Sequence, residues 1–330
     1  MKPLIDRIFN IQNDVAFQKQ ALQVFRYQAA NNAVYQQYLK TLGTSVENVQ
    51  NIHQIPFLPI ELFKSHPLIT GPDAIQITFT SSGTTGMQQS KHFVSDLSVY
   101  ETSYRKAFEL FYGNIQGYCI LALLPSYLER EGSSLIYMAE DLIKRSKNSR
   151  SGFYLHNHAE LLDALEQLEH QQQKTILLGV TYSLLDLAEL YSAQKREPLK
   201  HTLIMETGGM KGKRKEMIRE ELHQLLCSSF GVLAIHSEYG MTELLSQAYS
   251  ISDGRFACPP WMRILIRDVN DPFSFQPENK TGGINIIDLA NVNSCAFIAT
   301  QDLGKIFSDG TFEVLGRFDV SDIRGCNLLV

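Results

Sequence analysis

Residues 78–92 read TFTSSGTTGMQQSKH, where Thr80, Ser81, Ser82, Thr84 and Thr85 surround Gly83 and Gly86 and Lys91 follows. Such residues bury little apolar surface, so the run is an odd choice for a structural element. It suits a backbone that must approach an anion: small residues let N–H groups reach oxygens, hydroxyls add donors, and lysine adds charge. A solvent-exposed linker is the competing reading. The run is not a Walker A loop, because no Gly-Lys-Ser/Thr follows Gly83 at the required interval. It also lacks GxGxxG, so a dinucleotide fold is not expected.

A second chemical cluster is HSEYGMTE at 236–243, which follows an apolar strand pattern. Tyr239 offers a ring for stacking a base, Thr242 a hydroxyl for a phosphate, and Glu243 a carboxylate for Mg²⁺. The structural alternative is a strand turning into a helix that Thr242 caps. A third cluster is TQDLG at 300–304 with LGRFDVSDIRG at 315–325. Asp302 can accept both hydroxyls of a ribose, and Arg317 can reach ribose or phosphate oxygens. Against this, Asp302 also fits a turn and Arg317 a surface ion pair.

These clusters need a scaffold, and the rhythm of the chain supplies one. The first forty residues lack Gly and, after Pro3, Pro, and read as helical, with Leu22, Phe25 and Ala29 at helical spacing. Residues 43–72 carry several prolines and read as an extended docking segment. From about residue 75, short apolar strands (AIQITF, YCILALLP, TILLGV, HTLIMETGG, VLAIHSEYG) alternate with helical patterns. One helical pattern runs from Lys213 through KRKEMIREELHQLLCSSFG, and the Ser/Thr/Gly loop reads as a strand-to-helix connection. Such alternation implies an α/β fold with a largely parallel, helix-flanked sheet. After about residue 250 only short strands follow, which predicts a small β subdomain near the C-terminus. The division expected is 1–70 helical and docking, 71–250 α/β core, and 251–330 small β subdomain.

Composition narrows the function classes. The 330 residues are 44% hydrophobic and 20% charged, with a net charge of −5, as in an ordinary globular protein with no global attraction to nucleic acid or anionic lipid. No leader pattern opens the chain, and CILALL is far too short to span a membrane. Five cysteines with no CxxC pair suggest neither a disulfide framework nor a zinc site, so a reducing cytoplasm is the simplest setting. Cys119 reads as core. Of the histidines, His92 and His236 neighbour the chemical clusters, with a structural role as the default.

Taken in order, the clusters resemble the adenylate-forming superfamily of acyl-CoA synthetases, luciferases and non-ribosomal peptide adenylation domains. TSSGTTG…SK is similar to its phosphate loop, YGMTE to its Tyr-Gly-x-Thr-Glu motif, TQDLG to its Thr-Gly-Asp motif, and GRFD to its Gly-Arg-x-Asp hinge. Gln301 stands where that superfamily usually has Gly. A narrower resemblance covers most of the chain. IPFLPIELFKSH (55–66), LLPSYLEREGSSLIYM (123–138), METGGMKGKRKEM (205–217) and the terminal IRGCNLLV look like the acyl-protein synthetase (LuxE) family of bacterial fatty acid reductase.

The resemblance implies a chemistry for each position. ATP and Mg²⁺ would be used to convert a carboxylic acid, by this likeness a fatty acid, to acyl-AMP. Thr80, Ser81, Ser82, Gly83, Thr84, Thr85 and Gly86, with Lys91, would hold the β and γ phosphates. Thr242 would bind the α-phosphate and Glu243 the metal. Glu238, Tyr239 and Gly240, with the Gly208–Gly209 turn, would border the adenine, and Asp302 and Arg317 would take the ribose. Tyr127 occupies the chain position of the acyl-pocket motif. Cys326, in RGC, matches the cysteine that receives the acyl group before a protein partner, a reductase or a carrier protein. Relatives continue past the hinge into a mobile domain of ~100 residues; here eleven residues follow Asp319. Lys91, Lys211 and Lys213 are then the candidates for the electrostatic work of the lysine that domain carries. Two alternatives stand beside this reading: a phenylacetate-type acyl-CoA ligase, and a nucleotide-binding subunit that does no chemistry.

Overall fold

The computed structural model describes residues 2–82, 88–125, 131–155, 157–208 and 217–318. The chain divides into two compact units, Met1–Thr78 with Ser90–Val99 and Ala257–Val330, and Phe79–Gln89 with Tyr100–Phe256.

Along the chain the helices are α1 (Lys2–Ile8), α2 (Asp14–Asn31), α3 (Ala33–Thr41), α4 (Leu62–Ser65), α5 (Leu97–Tyr112), α6 (Ser134–Ser146), α7 (His158–His170), α8 (Thr181–Ala193) and α9 (Arg219–Phe230). The strands are β1 (Leu58–Pro59), β2 (Ile77–Thr80), β3 (Lys91–Val94), β4 (Cys119–Leu123), β5 (Gly152–Phe153), β6 (Thr175–Val180) and β7 (Thr202–Thr207). They continue as β8 (Ile235–Tyr239), β9 (Ala248–Ser250), β10 (Phe256–Ala257), β11 (Met262–Arg267), β12 (Gly282–Asp288), β13 (Phe297–Ile306) and β14 (Phe312–Arg317).

In the second unit the strands run in the order β5-β4-β6-β7-β8, every neighbouring pair parallel, with β9 antiparallel beside β8. Parallel strands covered on both faces should be apolar throughout, and β4 and β6 are buried at every position. One core joins Leu121 and Leu123, Leu177 and Ile204 to the apolar stripes of α7, α8 and α9 (Leu165, Leu187, Leu226). Cys119 lies in that core, as its setting predicts. Polar caps fix where the helices start: Ser133 Oγ accepts from Ile136 N and Asn157 Oδ1 from Glu160 N. A bidentate ion pair from Arg105 to Asp141, 2.8 and 2.7 Å, ties α5 to α6.

In the first unit β11-β12-β13-β14 form an antiparallel run, and β1 joins β13 in parallel, Leu58 opposite Ile298. This is the small β region expected near the C-terminus. From 251 to 318 the only helical element described is a 3₁₀ turn at Leu289–Asn293. Helix α2 docks on that turn through buried Gln28. Its amide nitrogen donates to the carbonyls of Asn291, Val292 and Ser294 (2.8, 3.1 and 3.2 Å), and its oxygen accepts from Ala296 N at 3.0 Å. Phe25 and Tyr35 meet Phe297 at 6.1 and 6.3 Å between ring centres. The docking segment holds β1, α4 and two short 3₁₀ turns.

Two local readings change. Helix α9 begins at Arg219, and Met217 and Ile218 are not helical. The Ser/Thr/Gly loop leads from β2 into a second short strand, β3, and α5 starts only at Leu97. In the first unit Gln76 N–H donates to Val94 C=O at 2.9 Å, opening a separate two-stranded sheet. Among the described residues no helix is long and apolar enough to cross a membrane.

Candidate functional site

The carboxyl ends of β6, β7 and β8 come level in the second unit, because Val180 pairs with Thr207 and Thr207 with Glu238. In open α/β sheets ligands bind outside these ends. The chain leaves β7 through Gly208, at φ +71°, a backbone state that glycine adopts without a Cβ clash. Strand alternation then sorts the polar residues. Glu206 and Ser237 share one face, Thr207 and Glu238 the other.

On the first face Glu206 is buried and closely partnered. Arg219 Nη1 donates to its Oε1 at 2.8 Å, His223 Nε2 lies 3.9 Å from the same oxygen, and Thr181 Oγ1 lies 3.1 Å from Oε2. Burial opposes ionisation of Glu206, but His223, Arg219 and Ser237 outweigh it and hold the carboxyl below the usual glutamate range. Arg219 also reaches Ser237 Oγ at 3.4 Å and covers the Phe256 ring at 5.1 Å. Tyr239 packs on that same ring, 5.8 Å between centres, and is itself buried.

The second face carries the opposite electrostatics. Glu238 is buried, and burial pushes its carboxyl up to about 7. The Thr207 hydroxyl, donating to Oε2 at 2.5 Å, works against that rise, while the charge of Glu206 adds to it. His236 lies on this face too, its Nδ1 3.3 Å from the Tyr112 hydroxyl, and burial lowers its pKa. At Gly240 the approach is close: a Cβ there would displace Glu238 Oε1. Beyond Tyr239 the chain makes a turn at Thr242 and Glu243, with Thr242 half-buried and Glu243 buried. No helix starts there, so the helix-capping reading of Thr242 does not apply.

The Ser/Thr/Gly loop leaves β2 with Thr80 N–H donating to Gly132 C=O at 2.7 Å. Ser81 is half-buried and Ser82 exposed. Gly83, Thr84, Thr85 and Gly86 lie outside the described residues, as do Tyr127, Gly209, Lys211, Lys213 and Cys326. Lys91 is exposed at the start of β3 in the first unit; next to it His92 is fully buried, edge-on to Phe63 at 5.6 Å.

The third cluster lies within the first unit. Asp302 and Arg317 are directly opposite each other on β13 and β14, and Arg317 Nε donates to Asp302 Oδ1 at 3.1 Å. Asp302 is therefore a strand residue and not part of a turn, while Arg317 does form an ion pair. Beside them Arg267 Nη1 donates to Ile284 C=O at 2.9 Å and Asn285 Oδ1 at 2.8 Å, and Nη2 donates to Thr300 C=O at 2.5 Å. Its guanidinium lies over the Phe318 ring at 5.4 Å. It fits because residue 283 is glycine: a Cβ there would come within 2.7 Å of Arg267 Nε and Nη2.

The sequence reading placed Gly208, Glu238 and Tyr239 correctly at strand ends, but Thr181, Glu206, Arg219, His223 and Arg267 were not in it. One signal is present in the sequence: Glu206 directly follows the apolar run LIM (203–205), and a buried charge calls for a partner. Among the described residues no group of three or more His, Cys, Asp or Glu could hold a metal ion unaided. A magnesium ion here would rest on a carboxylate such as Glu243 together with phosphate oxygens, which is its ordinary mode of binding.

At the sequence level no family model and no curated protein matches the chain. Solved structures do. An open conformation of 2-hydroxyisobutyryl-CoA ligase with 2-HIB-AMP and CoA superposes with a TM-score of 0.67 at 13% identity, over 94% of this chain and 77% of that one. ATP-bound MatB from Rhodopseudomonas palustris superposes with a TM-score of 0.54 at 18% identity, over 75% of this chain and 49% of that one. The chain shares its fold with these structures. At these identities the likeness is one of fold alone, and the chain spans about half the length of the MatB structures it matches.

Proposed function

We propose that this chain uses ATP to activate a carboxylic acid as its acyl-adenylate. The observation that carries the reading is the fold shared with ligases solved with ATP or an acyl-AMP, together with a polar site at the carboxyl ends of β6, β7 and β8. A carboxylate resists nucleophiles because its oxide is a poor leaving group. In the reaction a carboxylate oxygen attacks the α-phosphorus, the bond to the bridging oxygen breaks, and pyrophosphate leaves with the electron pair. The protein's task is to position the groups and neutralise the charge. Thr80 to Gly86 and Lys91 would grip the pyrophosphate end, Thr242 the α-phosphate, and Glu243 the Mg²⁺. Gly208, Gly209, Glu238, Tyr239 and Gly240 would border the adenine, and Asp302 with Arg317 the ribose.

The second half of the proposal concerns the acceptor. The Cys326 thiolate attacks the acyl carbonyl carbon and expels AMP, leaving a thioester that passes to a protein partner. Support for this comes from the terminal RGC segment and the acyl-protein synthetase resemblance, and a neighbouring Arg324 favours the thiolate. The 2-hydroxyisobutyryl-CoA ligase structure, which holds CoA, favours a second reading in which CoA is the acceptor. Carboxylate-dependent exchange of pyrophosphate into ATP tests the first half, with fatty acids of increasing length and a set of aryl acids. Exchange with any of them supports adenylation. Absence of exchange with all, from protein that binds ATP, would overturn the catalytic reading. Label from the acid then separates the acceptors, residing on the protein in one case and on CoA in the other.

A further inference from the structure

Thr181, Glu206 and Arg219 come from three separate elements, the start of α8, the end of β7 and the start of α9, and converge on one buried carboxylate. The convergence reaches beyond Glu206. The Thr181 hydroxyl also contacts the Gly208 carbonyl, at the turn that leaves β7. A hydroxyl has one proton, while the ionised Glu206 and the Gly208 carbonyl are both acceptors. Thr181 therefore stands between a fixed anion and a backbone turn whose φ is positive. Arg219 holds the anion in place from the other side, and its own position is set tightly: its guanidinium lies over Phe256, and a Cβ at Gly254 would strike its Cδ. Arg219 Nε and His223 Nε2 are buried without a hydrogen-bond partner among the described residues.

We propose that Thr181, Glu206 and Arg219 are positioning residues that fix the Gly208 turn for the nucleotide. The inference rests on the ATP reading above. None of the three needs to touch the reacting atoms. Their work is to prevent the turn from relaxing, so their loss is felt in nucleotide binding and not in the rate of the chemical step.

The test is ATP binding by isothermal titration calorimetry, paired with pyrophosphate-exchange kinetics. Thr181→Val keeps the shape and removes the hydroxyl; Thr181→Ser keeps the hydroxyl. Thr181→Val is expected to weaken ATP binding about tenfold, the value of one hydrogen bond to a charged group. KM for ATP should rise in parallel, with kcat and KM for the acid within about twofold, and Thr181→Ser should restore binding. Arg219→Lys, which keeps the charge but loses the planar fork, should weaken ATP binding in the same direction. It serves in place of Thr181→Val should that variant fail to fold. Wild-type-like binding by Thr181→Val, or a Thr181→Ser as weak as Thr181→Val, would overturn the inference while leaving the ATP reading intact. A wild-type protein that binds no ATP would overturn both.

Discussion

Glu206 and Glu238 stand at the ends of adjacent parallel strands, one register position apart and on opposite faces of the sheet. One is held ionised by Arg219 and His223, and the other is pushed toward neutrality, in part by the charge on the first. Two buried carboxyls whose surroundings drive them apart are a recurrent feature of functional sites.

Glu238 sets a pH dependence of stability. Its folded pKa of about 7 lies above the value in an unfolded chain, so between roughly pH 4.5 and 7 the folded state keeps a proton that the unfolded state has lost. Stability from this group falls as pH rises through that window, by about 3 kcal/mol once ionisation is complete. Glu238→Gln should lack the decline and gain on wild type above pH 7. Urea midpoints at pH 5, 6, 7 and 8 decide it; parallel curves for the two proteins would contradict the assignment.

Glu206 acts in the reverse sense. Its folded pKa is depressed, so its contribution is present above the unfolded value and lost as pH falls through the folded one. Arg219→Met removes the main cation and leaves a buried carboxylate, at a cost of about 3 kcal/mol. Adding Glu206→Gln to Arg219→Met should recover part of that loss. A double variant as unstable as the sum of the two single variants would show that the pair is not coupled.

How far the sequence announced all this depends on the element. Hydrophobic runs such as CILAL and TILLGV marked buried strands because both faces of a parallel sheet are apolar, and the glycines and Tyr239 fell at their ends. The second strand of the β2–β3 pair is concealed in the sequence, since KHFV opens with Lys91 and His92, and only pairing with β2 in the fold makes it a strand. Arg219, Glu206 and Thr181 are widely spaced along the chain, and no local pattern links them; strand register and the docking of α9 do. Asp302 fits either a ribose contact or a turn when read from the sequence, and in the fold it lies on β13, paired across strands with Arg317.

Arg317 is largely exposed, with 73% of its side-chain surface accessible, while its partner Asp302 is buried. Solvent screens the exposed cation, so the pair contributes on the order of 1 kcal/mol. Arg317→Ala should therefore shift thermal unfolding little and, on the ribose reading, raise KM for ATP. A large loss of stability with KM unchanged would assign Arg317 to the fold and not to the nucleotide.

Cys326→Ser separates the two halves of the proposed reaction. Pyrophosphate exchange should persist near the wild-type rate, while label from the acid should no longer remain on the protein as a hydroxylamine-sensitive thioester. Labelling of the variant equal to wild type would place the acyl group elsewhere.

Arg267 and Gly283 carry a consequence for how this sequence can change. The guanidinium occupies the space that any side chain at 283 would need, and acceptors on two strands, β12 and β13, take its hydrogen bonds. Gly283→Ala alone would force the guanidinium to shift, and Arg267→Ala alone would take this donor from the Ile284 and Thr300 carbonyls and the Asn285 amide oxygen. The two positions thus form one heritable unit: a lineage can leave this arrangement only by passing through a damaged intermediate or by altering both residues together.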